Sequence, residues 1–266
     1  MSPELFSVFG VPVYAYRTML AIAFVVCTLL TVRASRTRAG GREVSPIIGI
    51  WAMFGSLVGA HAFFIVQYGD PRDVWRAVFV WEGGLVFYGG LIGGVLAAWS
   101  YLAWVKVPFL NAADSAAPYL ALGEAIARVG CLLNGCCWGA ACHLPWAIAF
   151  PKFSSAFAAQ VGAGALDPSA AQSLPVHPTQ LYMTIGLVAA AIALGRMLVR
   201  RRADGVVFFG YLVLYGLLRF FVEWVRGDSA RSVGGLTVSG AISAGLVVLG
   251  ASACVYALRR PGSVSE

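Results

Sequence analysis

The stretch WEGGLVFYGGLIGGVLAAW, residues 81–99, holds six glycines and a single charge, Glu82. In water such a run is a poor helix, because each interior glycine costs about 1 kcal/mol relative to alanine. In a bilayer the backbone has no water to bond with, so a helix persists, and small residues let a neighbour approach closely. Read this way, residues 85–105 form a membrane span. The glycines then leave room beside it, for a neighbouring helix or for a lipid.

Composition agrees with that reading. Of 266 residues, 59% are hydrophobic and only 12% are charged, and the mean hydropathy is +0.79. These values belong to a polytopic membrane protein. The opening residues MSPELFSVFGVPVYAY lack the basic start and small-residue cleavage site of a signal peptide. The net charge of +7 does not imply nucleic acid, since most arginines sit in short loops beside apolar segments, where they orient the chain and touch anionic lipid.

Seven spans of about 20 residues fall near 14–32, 46–67, 85–105, 114–133, 177–199, 205–225 and 234–258. Residues 68–84 suit an amphipathic arm in the membrane interface, anchored by Trp75 and Trp81, and 134–176 form a long irregular loop. Assigning the basic loops to the cytoplasm puts Arg33, Arg36, Arg38, Arg42, Lys106, Arg196, Arg200, Arg201, Arg202, Arg259 and Arg260 inside. Arg72, Arg76, Lys152, Arg226 and Arg231 fall outside. That asymmetry predicts an external N-terminus and a cytoplasmic C-terminus. The expected fold is all-α and integral to the membrane. It is one domain of about seven helices around a lipid-accessible central cavity, with an interfacial arm and a small outer loop region.

Ionisable groups inside hydrocarbon cost several kcal/mol unless paired or wetted, so each is a functional candidate. Here they are Arg17, His61, Glu124, Arg128, Arg219 and Glu223. The i,i+4 spacing of Glu124 with Arg128 and of Arg219 with Glu223 predicts two ion pairs on helix faces, and Arg226 continues the second series outward. Such pairs can simply hold helices together. Two of them near the same leaflet favour recognition of an anionic lipid, because an arginine fork suits a phosphate. In ARVGCLLNGCCWG, residues 127–139, Asn134-Gly135 marks a turn at the membrane surface. HPTQLY, residues 177–182, opens the next span, with Pro178 in its first turn and His177, Thr179 and Gln180 as interfacial polar groups.

With VYAYRTMLAIAF, WEGGLVFYGGLIGG and YGLLRFFVEWVRGD, these two motifs stand in an order that resembles the phosphatidylglycerol–prolipoprotein diacylglyceryl transferases of bacterial plasma membranes. The resemblance covers nearly the whole chain. It implies a seven-helix enzyme that moves the diacylglyceryl group of phosphatidylglycerol onto the lipobox cysteine of a preprolipoprotein, releasing glycerol phosphate and needing no cofactor. It implies that Arg128 binds the lipid headgroup, that Arg219 is a second essential arginine with Glu223 and Arg226 at the family spacing, and that Tyr16 matches the tyrosine of the first span. Asn134, Gly135, Trp138 and Gly139 match the signature. His177, Gln180, Gly89 and Gly90 join the candidate substrate-binding set, the glycine run leaving room for acyl chains or for the incoming lipobox peptide. A thiol attacking a glycerol carbon while a phosphate departs needs cationic stabilisation of the leaving group, which the arginines supply.

The chain departs from the family at three signature positions. Tyr88 stands where the family has the histidine often proposed as base, Cys131 where it has asparagine, and Cys136 where it has glutamate. Tyr88 is retained as a catalytic candidate through hydrogen bonding. Cys27 and Cys254 read as apolar residues within spans. Cys131, Cys136, Cys137 and Cys142, followed by His143, cluster at the outer face, where an oxidising compartment points first to disulfides. A metal site remains open, although the spacing matches no common zinc pattern. The competing reading is a paralogue that binds anionic phospholipid, or handles metal or thiols, without transfer. A solute channel fits worse, since a pore needs polar residues along its length.

Overall fold

A computed structural model describes residues 4–8, 11–37, 43–79, 84–200, 203–227 and 237–259. Among these residues, eight α-helices follow a short hairpin of strands β1 (Glu4–Val8) and β2 (Val11–Tyr14). The seven long ones are α1 (Ala15–Arg36), α2 (Ile47–Tyr68), α3 (Phe87–Trp104), α4 (Phe109–Asn134), α6 (Thr179–Arg200), α7 (Val206–Glu223) and α8 (Val238–Arg259); α5 (Ser155–Gly162) is short. All but α3 of the long helices are long and apolar enough to cross a membrane, six where seven were expected. In α3 the glycines and the Tyr and Trp rings dilute the aliphatic side chains that raise hydropathy. Between 11% and 39% of each spanning segment is buried within the protein, so most of its apolar surface faces outward, as a lipid solvent requires.

The chain divides into two compact units, Thr28–Ser115 and the combination of Met1–Cys27 with Ala116–Ser265. The first unit is built on α2 and α3. Gly55 and Gly59 of α2 face Gly89 and Gly93 of α3, each pair four residues apart. A methyl group at Gly59 would lie 2.8 Å from the Gly93 Cα, and one at Gly93 would run into the Gly55 carbonyl oxygen. Gly90 is nearly as close, with the Ser56 oxygen 3.3 Å from where its Cβ would stand. The neighbour that the glycine run admits is therefore α2. The space expected for acyl chains or peptide at Gly89 and Gly90 is filled by helix backbone, which gives the close van der Waals packing that drives helix association in lipid. A second cluster, Val44, Leu102, Val107 and Ala112, closes the other end of this unit.

Where an amphipathic arm was expected, Gly69 ends α2 by donating its N–H to the Ile65 carbonyl at 2.8 Å. Asp70 then caps a 3-10 helix, Pro71–Val78, accepting from the Arg72 N–H at 2.9 Å. Trp75 on that helix is exposed; Trp81 and Glu82 lie outside the described residues. Helix α4 begins at Phe109, earlier than hydropathy suggests, because its first turns hold Asn111, Asp114 and Ser115, polar residues that are buried all the same.

The second unit packs Ala117, Ala121 and Ala125 of α4 against Met183, Leu187 and Leu194 of α6 and Val207 and Val222 of α7. Alanines on α4 let the larger side chains of its neighbours fill the seam. The segment after α4, expected to be irregular, has a core of its own. Phe150, Ala156 and Val176 are buried there, with Leu132, Trp138 and Ile148 packed around them. Isolated bridges tie this segment to itself, Ala141 and Ile148 both pairing with Val176, and to the end of α7, Gly139 pairing with Arg226. The N-terminal hairpin was not anticipated from the sequence.

Candidate functional site

The site forms in the second unit, where three helix ends meet. Arg128 lies in the last two turns of α4, Arg219 in the last two turns of α7, and Arg226 just beyond it. A narrow cleft takes these three guanidiniums along its walls, with Cys137, Thr179 and Gln180 beside them and Met183 and Val222 supplying apolar surface. The arginines are brought together from positions almost a hundred residues apart in the chain.

Glu223 organises two of them. Its Oε2 lies 3.0 Å from Arg219 Nη2 and 3.9 Å from Arg226 Nε, with 5% of the Glu223 side chain exposed. Its Oε1 accepts a hydrogen bond from Thr237 at 2.8 Å, and Ser239 Oγ accepts from Arg219 Nε at 3.0 Å. The pair predicted by i,i+4 spacing on α7 is thus present and braced from the start of α8. The corresponding pair on α4 takes another form. Among the described residues no ion pair joins Glu124 to Arg128. Instead, Glu124 accepts from the Tyr211 hydroxyl at 3.0 Å, and Arg128 shares a hydrogen bond with Tyr215. Tyr211 and Tyr215, one turn apart on α7, thus supply the hydrogen-bond partners of the two α4 residues, which act on each other through space without a direct ion pair.

The polar wall is backbone-anchored. Thr179 Oγ1 donates to the Cys137 carbonyl and Gln180 Nε2 to the Cys136 carbonyl at 2.7 Å. Gln180 Oε1 is buried without a hydrogen-bond partner. The Pro178 carbonyl accepts from Leu181 and Tyr182, which starts α6 and aims both polar residues at the loop. His177 does not line the cleft; its Nδ1 lies 3.2 Å from the Tyr182 hydroxyl, which also accepts from Trp146 Nε1 at 2.8 Å. Its backbone exchanges hydrogen bonds with Gly139 and Ala140. At Gly139 an added Cβ would lie 2.5 Å from His177 Cβ, so the glycine is required for that approach.

Gly135 turns the chain out of α4 with φ +70°, a left-handed conformation that favours glycine. Asn134 is exposed and shares a hydrogen bond with Cys136. Tyr16 is partly exposed on α1 beside α4, where the missing side chain of Gly130 would otherwise meet its Cα at 3.3 Å. Arg17 stacks over the Tyr14 ring at 5.2 Å. In the other unit, Tyr88 is exposed next to Phe87, and His61 is buried with Nδ1 3.0 Å from the Gly84 carbonyl.

All six cysteines are thiols. The Sγ atoms of Cys131, Cys136 and Cys137 lie within 4.8 Å of one another, and Cys142 is not part of that group. Where disulfides were expected, a thiol triad converges at the end of α4. Hydrogen bonds from Cys131 and Cys136, with the Arg128 and Arg226 guanidiniums nearby, hold the Cys137 thiol far below the usual thiol range. This triad beside the arginines was not legible from spacing alone, because its geometry depends on the turn at Gly135 and the tethers from α6.

Fold and cleft together define a class: an integral membrane helix bundle with a guanidinium-lined cleft at the ends of its helices. Residues 3–256 match the prolipoprotein diacylglyceryl transferase family, and the chain belongs to it. Similar proteins include the phosphatidylglycerol–prolipoprotein diacylglyceryl transferase of Clostridium tetani, 28% identical over 94% of this chain and 95% of that protein. The protein of the same name from Photorhabdus laumondii is 29% identical, covering 99% and 94%. That from Ruegeria pomeroyi is 32% identical, covering 88% and 82%. Spans and family together make this a bacterial inner-membrane protein.

Proposed function

We propose that the protein transfers the diacylglyceryl group of phosphatidylglycerol to the cysteine thiol of a prolipoprotein, with Arg128, Arg219 and Arg226 holding the lipid phosphate. The observation that carries this reading is the convergence of three guanidiniums on one cleft, two of them set in place by a single carboxylate. Three guanidiniums outnumber the negative groups beside them, Glu223 and the Cys137 thiol, so the cleft stays positive. Phosphatidylglycerol brings one negative charge as a phosphodiester, whereas the departing phosphate monoester carries about 1.5 to 2. A cationic cleft therefore gains more from the departing group than from the bound lipid, which is the condition for catalysis by differential binding.

In the proposed step the substrate sulfur forms a bond to a glycerol carbon of the diacylglyceryl group. The bond from that carbon to the phosphate oxygen breaks, and its electron pair leaves with glycerol phosphate. The thiol proton passes to solvent before attack, because a strongly positive cleft stabilises the thiolate. The nucleophile belongs to the substrate, so no serine or cysteine nucleophile of this chain is required. Arg128 and Arg219 grip the phosphate, Glu223 positions Arg219 and Arg226, and Gln180 offers its buried carbonyl oxygen to a donor on the glycerol headgroup. Tyr16 and Asn134 retain supporting roles by resemblance. The positive-inside balance, which favours an external N-terminus, supports a cleft at the outer leaflet, where preprolipoproteins emerge.

The test uses purified protein in phosphatidylglycerol vesicles with a lipobox peptide, reading product by mass shift. Arg128→Ala or Arg219→Ala should lower the rate by about 100-fold or more, the usual cost of removing one preorganised charge-stabilising donor. Unchanged rates would reject these roles.

A further inference from the structure

We propose that Cys131, Cys136 and Cys137 form a three-thiolate site for a soft metal ion of the copper(I) class. The site and the cleft share Cys137, Arg128 and Arg226, so a bound ion and a lipid phosphate would compete for the same guanidiniums; the two readings are nevertheless tested by separate measurements.

The geometry comes first. Three sulfurs, each about 2.3 Å from one ion, stand roughly 4 Å apart in a planar triangle. The Sγ atoms here already lie within 4.8 Å of one another, so small rotamer changes complete the triangle. The backbone is built for it. Cys137 sits at φ +60° and Gly135 at φ +70°. A left-handed non-glycine residue costs of order 1 kcal/mol or more, and persists only where its surroundings enforce it. The enforcing contacts come from Thr179 and Gln180, which bind the Cys137 and Cys136 carbonyls. Those tethers turn both neighbouring sulfurs back onto Cys131, which is buried at the end of α4.

Donor type and charge select the ion. The group contains only sulfur, without imidazole or carboxylate, and such sets favour soft ions such as copper(I) and zinc. Structural zinc takes four protein ligands; three sulfurs match copper(I) in three-coordinate form. The ligands must be thiolates, so binding displaces the protons of those thiols that still carry one, and it involves no change of oxidation state. Three thiolates and one copper(I) carry −3 + 1 = −2. Arg128 and Arg226, which line the same cleft as Cys137, offset that charge.

The experiment titrates copper(I) into the reduced, full-length protein in detergent, against a chromogenic copper(I) chelator and without lipid substrate. One equivalent per chain should bind, and X-ray absorption should show a shell of sulfur alone. Loss of outer-shell partners alone costs 10- to 100-fold in metal affinity, so Cys131→Ser, Cys136→Ser or Cys137→Ser should weaken binding by at least about 100-fold. Cys142→Ser should leave it unchanged. Should a variant fail to fold, the sulfur count in the wild-type spectrum still decides. Copper held with nitrogen or oxygen ligands, binding indifferent to Cys137→Ser, a four-coordinate zinc retained in preference, or a disulfide within the triad in fresh membranes would each overturn the proposal. Because no transfer is measured, failure here leaves the transferase reading standing, and failure of transfer leaves this one.

Discussion

Glu223 shows how much one residue settles. Its carboxylate is buried between Arg219 and Arg226, and removing one partner of a buried pair leaves an uncompensated charge at a cost of about 3–5 kcal/mol. Glu223→Gln should therefore lower the thermal transition in detergent. It should also make that transition more sensitive to added phosphatidylglycerol, whose phosphate can stand in for the lost carboxylate. A transition unmoved by the substitution would show that the pair carries no stability. The α7 pair was legible from sequence because both partners lie on one helix. The α4 pair was misread for the opposite reason: Tyr211 and Tyr215 approach Glu124 and Arg128 from a different helix, 87 residues away in the case of Tyr211 and Glu124. Spacing speaks for contacts within an element and is silent on contacts between them. The thiol triad escaped for the same reason, its shape being set by Thr179 and Gln180 from beyond the loop.

At the scale of elements, glycine position separates packing from mere permissiveness. Gly93 has no room for a methyl group because the Gly55 backbone occupies that space, whereas Gly195 on α6 has nothing within 4 Å of the same position. Gly93→Ala should therefore destabilise the protein by about 1–3 kcal/mol, the cost of overpacking. Gly195→Ala should be neutral, or stabilising by up to about 1 kcal/mol through helix propensity. Thermal unfolding of the two variants, followed by tryptophan fluorescence, checks the contrast; equal effects would mean that α2 and α3 do not pack through these glycines. The sequence displayed the four-residue glycine period but not its partner, because a small-residue face serves a helix, a lipid or a peptide equally well. The hairpin at the N-terminus and the core around Phe150 were hidden differently. Short strands and an eight-residue helix carry too few periodic residues to stand out beside seven long apolar runs.

Across the whole molecule the reading of the spans was most secure, because hydrophobic length is a sum over many residues and tolerates local error. The basic-loop asymmetry is a sum of the same kind and predicts a cytoplasmic C-terminus. A fluorescent protein that matures only in the cytoplasm, fused after residue 259, should fluoresce; a dark fusion with full expression would place the C-terminus outside and with it invert the cleft. The central claim, however, is that forked guanidiniums stabilise a phosphate as it leaves. It is tested most directly by the rate of transfer against phosphatidylglycerol fraction for wild type and Arg219→Lys, which keeps the charge and loses the fork. If the interaction belongs to the transition state, kcat falls by about 100-fold with little change in KM. A raised KM with kcat intact would mean that Arg219 merely holds the lipid, and would contradict the account.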